Sequence, residues 1–389
     1  MPAGSGVISF EFATANRVIF GAGRLNELCG LIEPRAGQLF VVSGRSSKAI
    51  QRLREILSSR QSQLTEYEVH GEPTVEVIRE GINSARGCDL VIGLGGGSVL
   101  DAGKAISALV TNSGDPLDYL EVIGKGQTLT NAPLSYIAIP TTAGTGTEVT
   151  RNAVLASPEH RVKVSLRSPA MLPRIALVDP ELTYNLHPDV TAATGLDALT
   201  QLIEPYVSVK ANPITDAICR EGIRRAARSL KQVYSDGTDK NGREDMSLAS
   251  LFGGLALANA ALGAVHGFAG PLGGMLGAPH GAICARLLPL VMEANINALQ
   301  ARQPKGTALD RYGEVASLLT GDDRATAQDG VNWVKQIVQD LQIPALAFHG
   351  MRTSHIDETV QKTLKASSFK GNPIPLTETE LAGILEEAL

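Results

Sequence analysis

Residues 89–105 read DLVIGLGGGSVLDAGKA, an apolar run at 89–94 that passes through Gly93-Leu94-Gly95-Gly96-Gly97-Ser98 into helical spacing at 99–110. A buried strand that ends in glycines and opens a helix leaves backbone N–H groups free at the helix start, where a diphosphate is favoured. Ser98 stands where the last glycine of a G-x-G-x-x-G fingerprint would fall, so the ordinary motif does not fit, and a tight strand-to-helix turn is the other reading. Outward from this loop the plan repeats. Residues 38–43 (QLFVVS) precede a helical stretch at 47–58, a further helix spans 75–85, and 136–140 (YIAIP) and 175–178 (IALV) are buried-strand candidates. Strands separated by helices of this length imply parallel pairing with right-handed crossovers.

Beyond about residue 180 the period changes. Segments 192–208, 213–235, 243–262 and 307–319 carry apolar residues at three- and four-residue spacing, so the second half reads as all-helical. A chain of 389 residues exceeds the size at which one core usually stops growing. The expected fold class is therefore α/β plus all-α: a parallel-sheet dinucleotide-binding domain at 1–180 and a helical metal and substrate domain at 181–389, with a cleft between them.

Composition narrows the function. A formal net charge of −5 with no basic run argues against nucleic acid as a partner. Cys29, Cys88, Cys219 and Cys284 stand far apart, without a C-x-x-C pair, and read as reduced thiols in a cytoplasm. The N-terminal MPAGSGVISFEF lacks the basic flank and apolar stretch of a signal peptide. Residues 246–285 contain no Asp, Glu, Lys or Arg, yet glycines, prolines, Asn259, His266 and His280 interrupt them too often for a membrane span. A buried, glycine-rich helical region is the expectation there.

Two more loops bear on a nucleotide. Residues 140–148 (PTTAGTGTE) place Thr141, Thr142, Thr145 and Thr147 directly after an apolar strand; their hydroxyls could bond phosphate or ribose, or one could simply cap a helix. After the strand at 38–43 come Gly44, Arg45 and Ser46 with no carboxylate. A guanidinium and hydroxyls suit a 2′-phosphate and favour NADP over NAD, whereas an exposed arginine in a turn is the bland alternative. In the helical half, Asp197 and Gln201 are four apart on one helix face, and His266 and His280 bracket a glycine-rich segment. A carboxylate, two imidazoles and an amide oxygen could hold Fe²⁺ or Zn²⁺; histidines hydrogen-bonded within a core are the competing reading.

The chain resembles the iron-containing (group III) alcohol dehydrogenase family over nearly its whole length, through GLGGGSVLDAGKA (93–105), IPTTAGTGTEVT (139–150), ALVDPELT (176–183), TGLDALTQLIEPYVS (194–208), VHGFAGPLGG (265–274), PHG (279–281) and NPIPLT (372–377). The resemblance implies a nicotinamide cofactor contacted by Gly97, Ser98, Thr141, Thr142, Thr145, Lys163 and Leu182, with Gly96, Asp101 and Thr147 in the same motifs. It also implies a divalent metal held by one Asp and three His, which polarises the alcohol or carbonyl oxygen during hydride transfer. Carried over, the ligands are Asp197, His266 and His280, with Gln201 where a histidine is expected and Gly270 where a proton-transferring histidine is expected. An amide is a weaker donor, so lower metal affinity follows. Gly270 opens space beside the reacting carbon and leaves the proton to water or a substrate hydroxyl. The expected function is an NAD(P)-dependent alcohol dehydrogenase or carbonyl reductase acting on a small molecule, in a homodimer. Three alternatives remain: a metal-independent enzyme similar to maleylacetate reductase, a lyase similar to dehydroquinate synthase, and a non-catalytic nucleotide-binding protein.

Overall fold

A computed structural model describes residues 9–45 and 47–389. Among the described residues, eight strands, β1 (Arg17–Phe20), β2 (Gln38–Ser43), β3 (Gln63–Glu68), β4 (Leu90–Gly95), β5 (Ser135–Pro140), β6 (Asn152–Ser157), β7 (Val162–Arg167) and β8 (Ile175–Val178), occupy the first half. Six of them form one sheet in the order β1-β8-β5-β4-β2-β3, and every pairing in it is parallel. Helices α1 (Leu28–Leu31), α2 (Ser47–Leu57), α3 (Val75–Ser84) and α4 (Gly97–Leu109) lie between the strands in sequence. Side chains alternate across each strand, so Phe40, Val42 and Val91 pack one face with Ala105 and Ile106, while Leu39, Val41 and Ile92 pack the other with Leu53 and Ile137. Burial on both faces explains why β2, β4 and β5 read as unbroken apolar runs.

Sheet order also locates a ligand site. From β2 the chain crosses outward to β3, then returns past β2 and proceeds from β4 to β5 on the opposite side. A crevice opens outside the carboxyl ends of two neighbouring strands wherever the order reverses in this way. Here those strands are β2 and β4, with Ser43 paired to Leu94, so the loops at Gly44 and Gly95 are neighbours.

Four strands lie outside the sequence expectation, and each has a physical reason. β1 and β3 are edge strands with polar or exposed residues, Arg17 and Val18 in one and Gln63, Thr65, Glu66 and Tyr67's neighbours in the other, so no buried run marks them. β6 and β7 form an antiparallel hairpin, in which β6 alternates between burial and partial exposure and β7 is mostly part-exposed.

The second half is helical: α5 (Pro188–Val207), α6 (Pro213–Ser235), α7 (Lys240–Ala260), α8 (Ala264–Leu276), α9 (His280–Arg302), α10 (Thr307–Thr320), α11 (Ala327–Asp340), α12 (Ile356–Lys365) and α13 (Glu378–Ala388). α6 starts at a reciprocal cap, in which Asn212 accepts from the Thr215 N–H and Thr215 accepts from the Asn212 N–H, with Pro213 at the first helical position. α5 is central and packs against α6, α7 and α9.

The charge-free stretch runs from within α7 through α8 to the first turns of α9. α7 and α8 meet at a bend of 101°. α8 ends on Gly277 at φ +66°, and Pro279 precedes His280 at the start of α9. α9 is long and apolar enough to cross a membrane, but 78% of its apolar window is buried within the protein, as befits a core helix.

Candidate functional site

Three loops converge at the carboxyl edge of the sheet. Gly96, Gly97 and Ser98 open α4 and are all part-exposed. A methyl group on Gly97 would lie 2.6 Å from Thr145 Cγ2, so only glycine permits this approach of the two motifs. Gly96 faces Thr142, and the Thr141 N–H donates to the Gly95 carbonyl at 2.9 Å. Arg45 is exposed directly after β2, while Ser46 lies outside the described residues. Leu182 sits in the turn Pro180–Thr183 and packs on the core beneath the sheet edge. Lys163, on β7, has a buried side chain that lies against Gly273 of α8, with Nζ 2.9 Å from Glu72 Oε1.

Asp101 and Thr147 are buried and hydrogen-bonded to one another behind the loops. The Thr147 hydroxyl donates to Asp101 Oδ1, and Asp101 Oδ2 accepts from the Val154 N–H at 3.0 Å. Lys104, which was not singled out, completes this buried network: its ammonium donates to Thr147 O at 2.6 Å, Thr150 Oγ1 at 2.8 Å and Asn152 O at 2.8 Å. These side chains hold the threonine loop from within. Burial pushes the Lys104 pKa down to about 8 despite Asp101 and Glu148, and pushes Glu148 up to about 7.

From the same loop the structure leads directly into the helices. A methyl on Gly144 would lie 2.7 Å from Thr194 Cβ, one turn before Asp197 on α5. Asp197, His266 from α8, and His280 and Cys284 from α9 present donor atoms that all lie within 4.8 Å of one another. His266 Nε2 is 3.5 Å and His280 Nε2 is 3.6 Å from Asp197 Oδ1. Those separations are too long for hydrogen bonds and suit donors arranged around a shared cation. Asp197 Oδ1 and Gln201 Oε1 are both buried without a hydrogen-bond partner among the described residues. Orphaned buried acceptors of this kind need a cation or a donor, so the residues present fit a divalent metal.

Glu204 was also missed in the sequence. One helical turn beyond Gln201, it accepts from His266 Nδ1 at 2.7 Å through one oxygen and from the Val265 N–H at 2.7 Å through the other. With Nδ1 held by Glu204, Nε2 is the ring atom that faces Asp197 and would meet a metal once its own proton is displaced. Its signal was the run of polar residues at 197, 201 and 204 on one face of a buried helix. Burial alone would lower both imidazole pKa values, but Cys284 and Asp197 outweigh it: His266 rises well above its usual value and His280 rises to about 9. Asp197 moves down, because the two imidazoles outweigh its burial.

Gly270 also lies on α8, and a methyl there would meet only the Lys163 carbonyl, at 3.7 Å. The position is open, unlike Gly273 and Gly274 on the same helix, which pack tightly on β7. A separate recess lined by Arg17, Glu33 and Arg174 lies at the amino ends of β1 and β8. It is at the edge opposite the motif loops and carries none of these groups.

Sheet edge and donor cluster together define a dinucleotide-dependent oxidoreductase. Residues 15–180 match the family model for iron-containing alcohol dehydrogenase, and residues 191–389 match the model for the C-terminal part of the Fe-containing alcohol dehydrogenase family. The chain is 33% identical to alcohol dehydrogenase 4 of Saccharomyces cerevisiae, over 95% of this chain and 96% of that one. A solved 1,3-propanediol oxidoreductase superposes with a TM-score of 0.89 at 31% identity, covering 98% of this chain and 100% of that one. Sulfoacetaldehyde reductase from Bifidobacterium kashiwanohense, solved in complex with NAD⁺, superposes at 0.85 with 25% identity, covering 97% of this chain and 98% of that one. The chain belongs to the iron-containing alcohol dehydrogenase family and is an oxidoreductase acting on CH–OH groups. These likenesses favour none of the three alternatives: the metal-independent reductase, the lyase or the non-catalytic protein.

Proposed function

We propose that the protein interconverts a small alcohol and its aldehyde or ketone, with NADP(H) preferred over NAD(H) and a divalent metal held by Asp197, Gln201, His266 and His280. The observation that carries this reading is the continuous path from the Gly97–Thr145 contact, through Gly144 and Thr194, to the donor cluster at Asp197. It sets a dinucleotide loop beside a metal cage.

The N–H groups opening α4 at Gly97 and Ser98 hold the diphosphate, and Thr141, Thr142 and Thr145 offer hydroxyls to phosphate or ribose. Lys163 and Leu182 complete the cofactor contacts, and exposed Arg45 pairs with a 2′-phosphate. When bound, Fe²⁺ or Zn²⁺ supplies Lewis acidity to the substrate oxygen. Glu204 keeps the His266 proton on Nδ1, so Nε2 stays a donor throughout. The charge-free stretch at 246–276, spanning most of α7 and all of α8, excludes water and strengthens every charge interaction inside. Glycine at 270 leaves room for a bulkier substrate, and the proton at the substrate oxygen is exchanged with water or a neighbouring substrate hydroxyl.

We place the division between the dinucleotide-binding and helical domains near residue 180, and expect a homodimer in a reducing cytoplasm. All four cysteines are free, in keeping with that compartment. The experiment is consumption of NADPH and NADH across an aldehyde and ketone panel by protein reloaded with Fe²⁺ or Zn²⁺. Turnover faster with NADPH, with that preference reduced about fivefold in Arg45→Ala, supports the reading. No consumption of either cofactor would overturn it.

A further inference from the structure

The cage contains a donor that neither the resemblance nor the motif spacing points to. Cys284 lies one helical turn after His280 on α9, and is buried. Its Sγ is 3.6 Å from His280 Nε2 and 3.9 Å from His266 Nε2. Tetrahedral bonds of about 2.0–2.3 Å put neighbouring donors about 3.3–3.8 Å apart. Three of the separations in the cluster, 3.5, 3.6 and 3.6 Å, fall within that spacing before any ion is considered, and the fourth, 3.9 Å from Cys284 Sγ to His266 Nε2, lies about 0.1 Å beyond it. The orphaned Asp197 Oδ1 in the same cage points independently to a cation.

We propose that Cys284 is a metal ligand, so that Asp197, His266, His280 and the Cys284 thiolate hold a borderline-soft divalent ion such as Zn²⁺. The proposal rests on the metal-assisted reading above and replaces Gln201 with Cys284 in its ligand set. The resemblance implies one carboxylate and three imidazoles, and Gln201 breaks that set. Cys284 restores the count from a different helix, with a stronger and softer donor than an amide oxygen. Binding releases the thiol proton to solvent and forms the sulfur–metal bond. Thiolate in place of imidazole turns the site toward Zn²⁺ and Co²⁺ and away from hard ions such as Mg²⁺ and Mn²⁺. Gln201 Oε1, packed beside Gly253, becomes a neutral wall of the cage rather than its fourth strong donor.

Co²⁺ is the probe. Full-length protein stripped with a chelator and titrated with Co²⁺ alone takes up one ion per chain and gains a near-ultraviolet thiolate-to-cobalt charge-transfer band. Cys284→Ser loses that band and weakens Zn²⁺ binding, measured by chelator competition, at least tenfold, while circular dichroism and NADPH binding are retained. Adding Gln201→His to Cys284→Ser brings Zn²⁺ affinity back without the band, which separates a lost ligand from a damaged fold. Failure to bind Co²⁺, binding without the band, or a band that persists in Cys284→Ser would each overturn the proposal. Hydride transfer by a protein without the band leaves the reductase reading standing and removes only Cys284; a band without turnover does the reverse.

Discussion

The two halves of the site are made of different materials. At the sheet edge the binding surface is backbone and the space left by absent side chains: a methyl on Gly97 would collide with Thr145, and one on Gly95 would collide with Val99. Among the helices the site is made of side chains from α5, α8 and α9 brought within 4.8 Å. A surface built from backbone tolerates few substitutions, so its pattern is contiguous along the chain. A cage built from side chains can exchange one donor for another while its helices keep their packing. Gln201 and Gly270, the two positions where the resemblance implies histidine, both lie in the helical half.

The sharpest way to break this division is Asp197→Ala. Removing the carboxylate of the cage should empty it of metal and lower kcat/KM on the order of 10³-fold, while NADPH binding stays as it was. Metal analysis and cofactor titration on one preparation check both parts. Gly97→Val is the complementary lesion. Its side chain would be forced onto Thr145, and about 100-fold weaker NADPH binding with unchanged metal content is expected from isothermal titration.

A smaller effect comes from Glu204→Gln, which keeps the shape but loosens the charged hold on His266 Nδ1. Zn²⁺ affinity should fall about tenfold, read by chelator competition. Smallest is a pH effect from the network beneath the threonine loop. Glu148 is raised by burial to about 7, so its stabilising contribution is complete below about 4.5 and is lost as pH rises through 7. Lys104, pushed down to about 8, stays mostly protonated across that window. Glu148→Gln should therefore flatten the decline in melting temperature between pH 5 and pH 7.5, and an unchanged decline would remove Glu148 as its source.

The contrast also explains what could be read from the sequence. Strands β2, β4, β5 and β8 are buried on both faces and announce themselves as apolar runs. β1 and β3 sit at edges, where one side of the strand needs no apolar partner, and so leave no such run. The motifs single out Asp197, His266 and His280; nothing in the motifs singles out Cys284 or Glu204, because only the meeting of α5, α8 and α9 brings them to the same cluster. Cys284 read as an isolated thiol, although its four-residue spacing from His280 put both on one helix face. Asp101 and Thr147 lay within cofactor motifs, and only the fold shows them holding each other and Lys104.

The most direct measurement follows NADPH consumption with a carbonyl substrate by one protein sample in three states: as purified, stripped of divalent metal, and reloaded with Zn²⁺ or Fe²⁺. Turnover that disappears on stripping and returns on reloading, with NADPH affinity constant throughout, is the predicted result. Turnover indifferent to metal would contradict the assignment of the helical cage as the catalytic half.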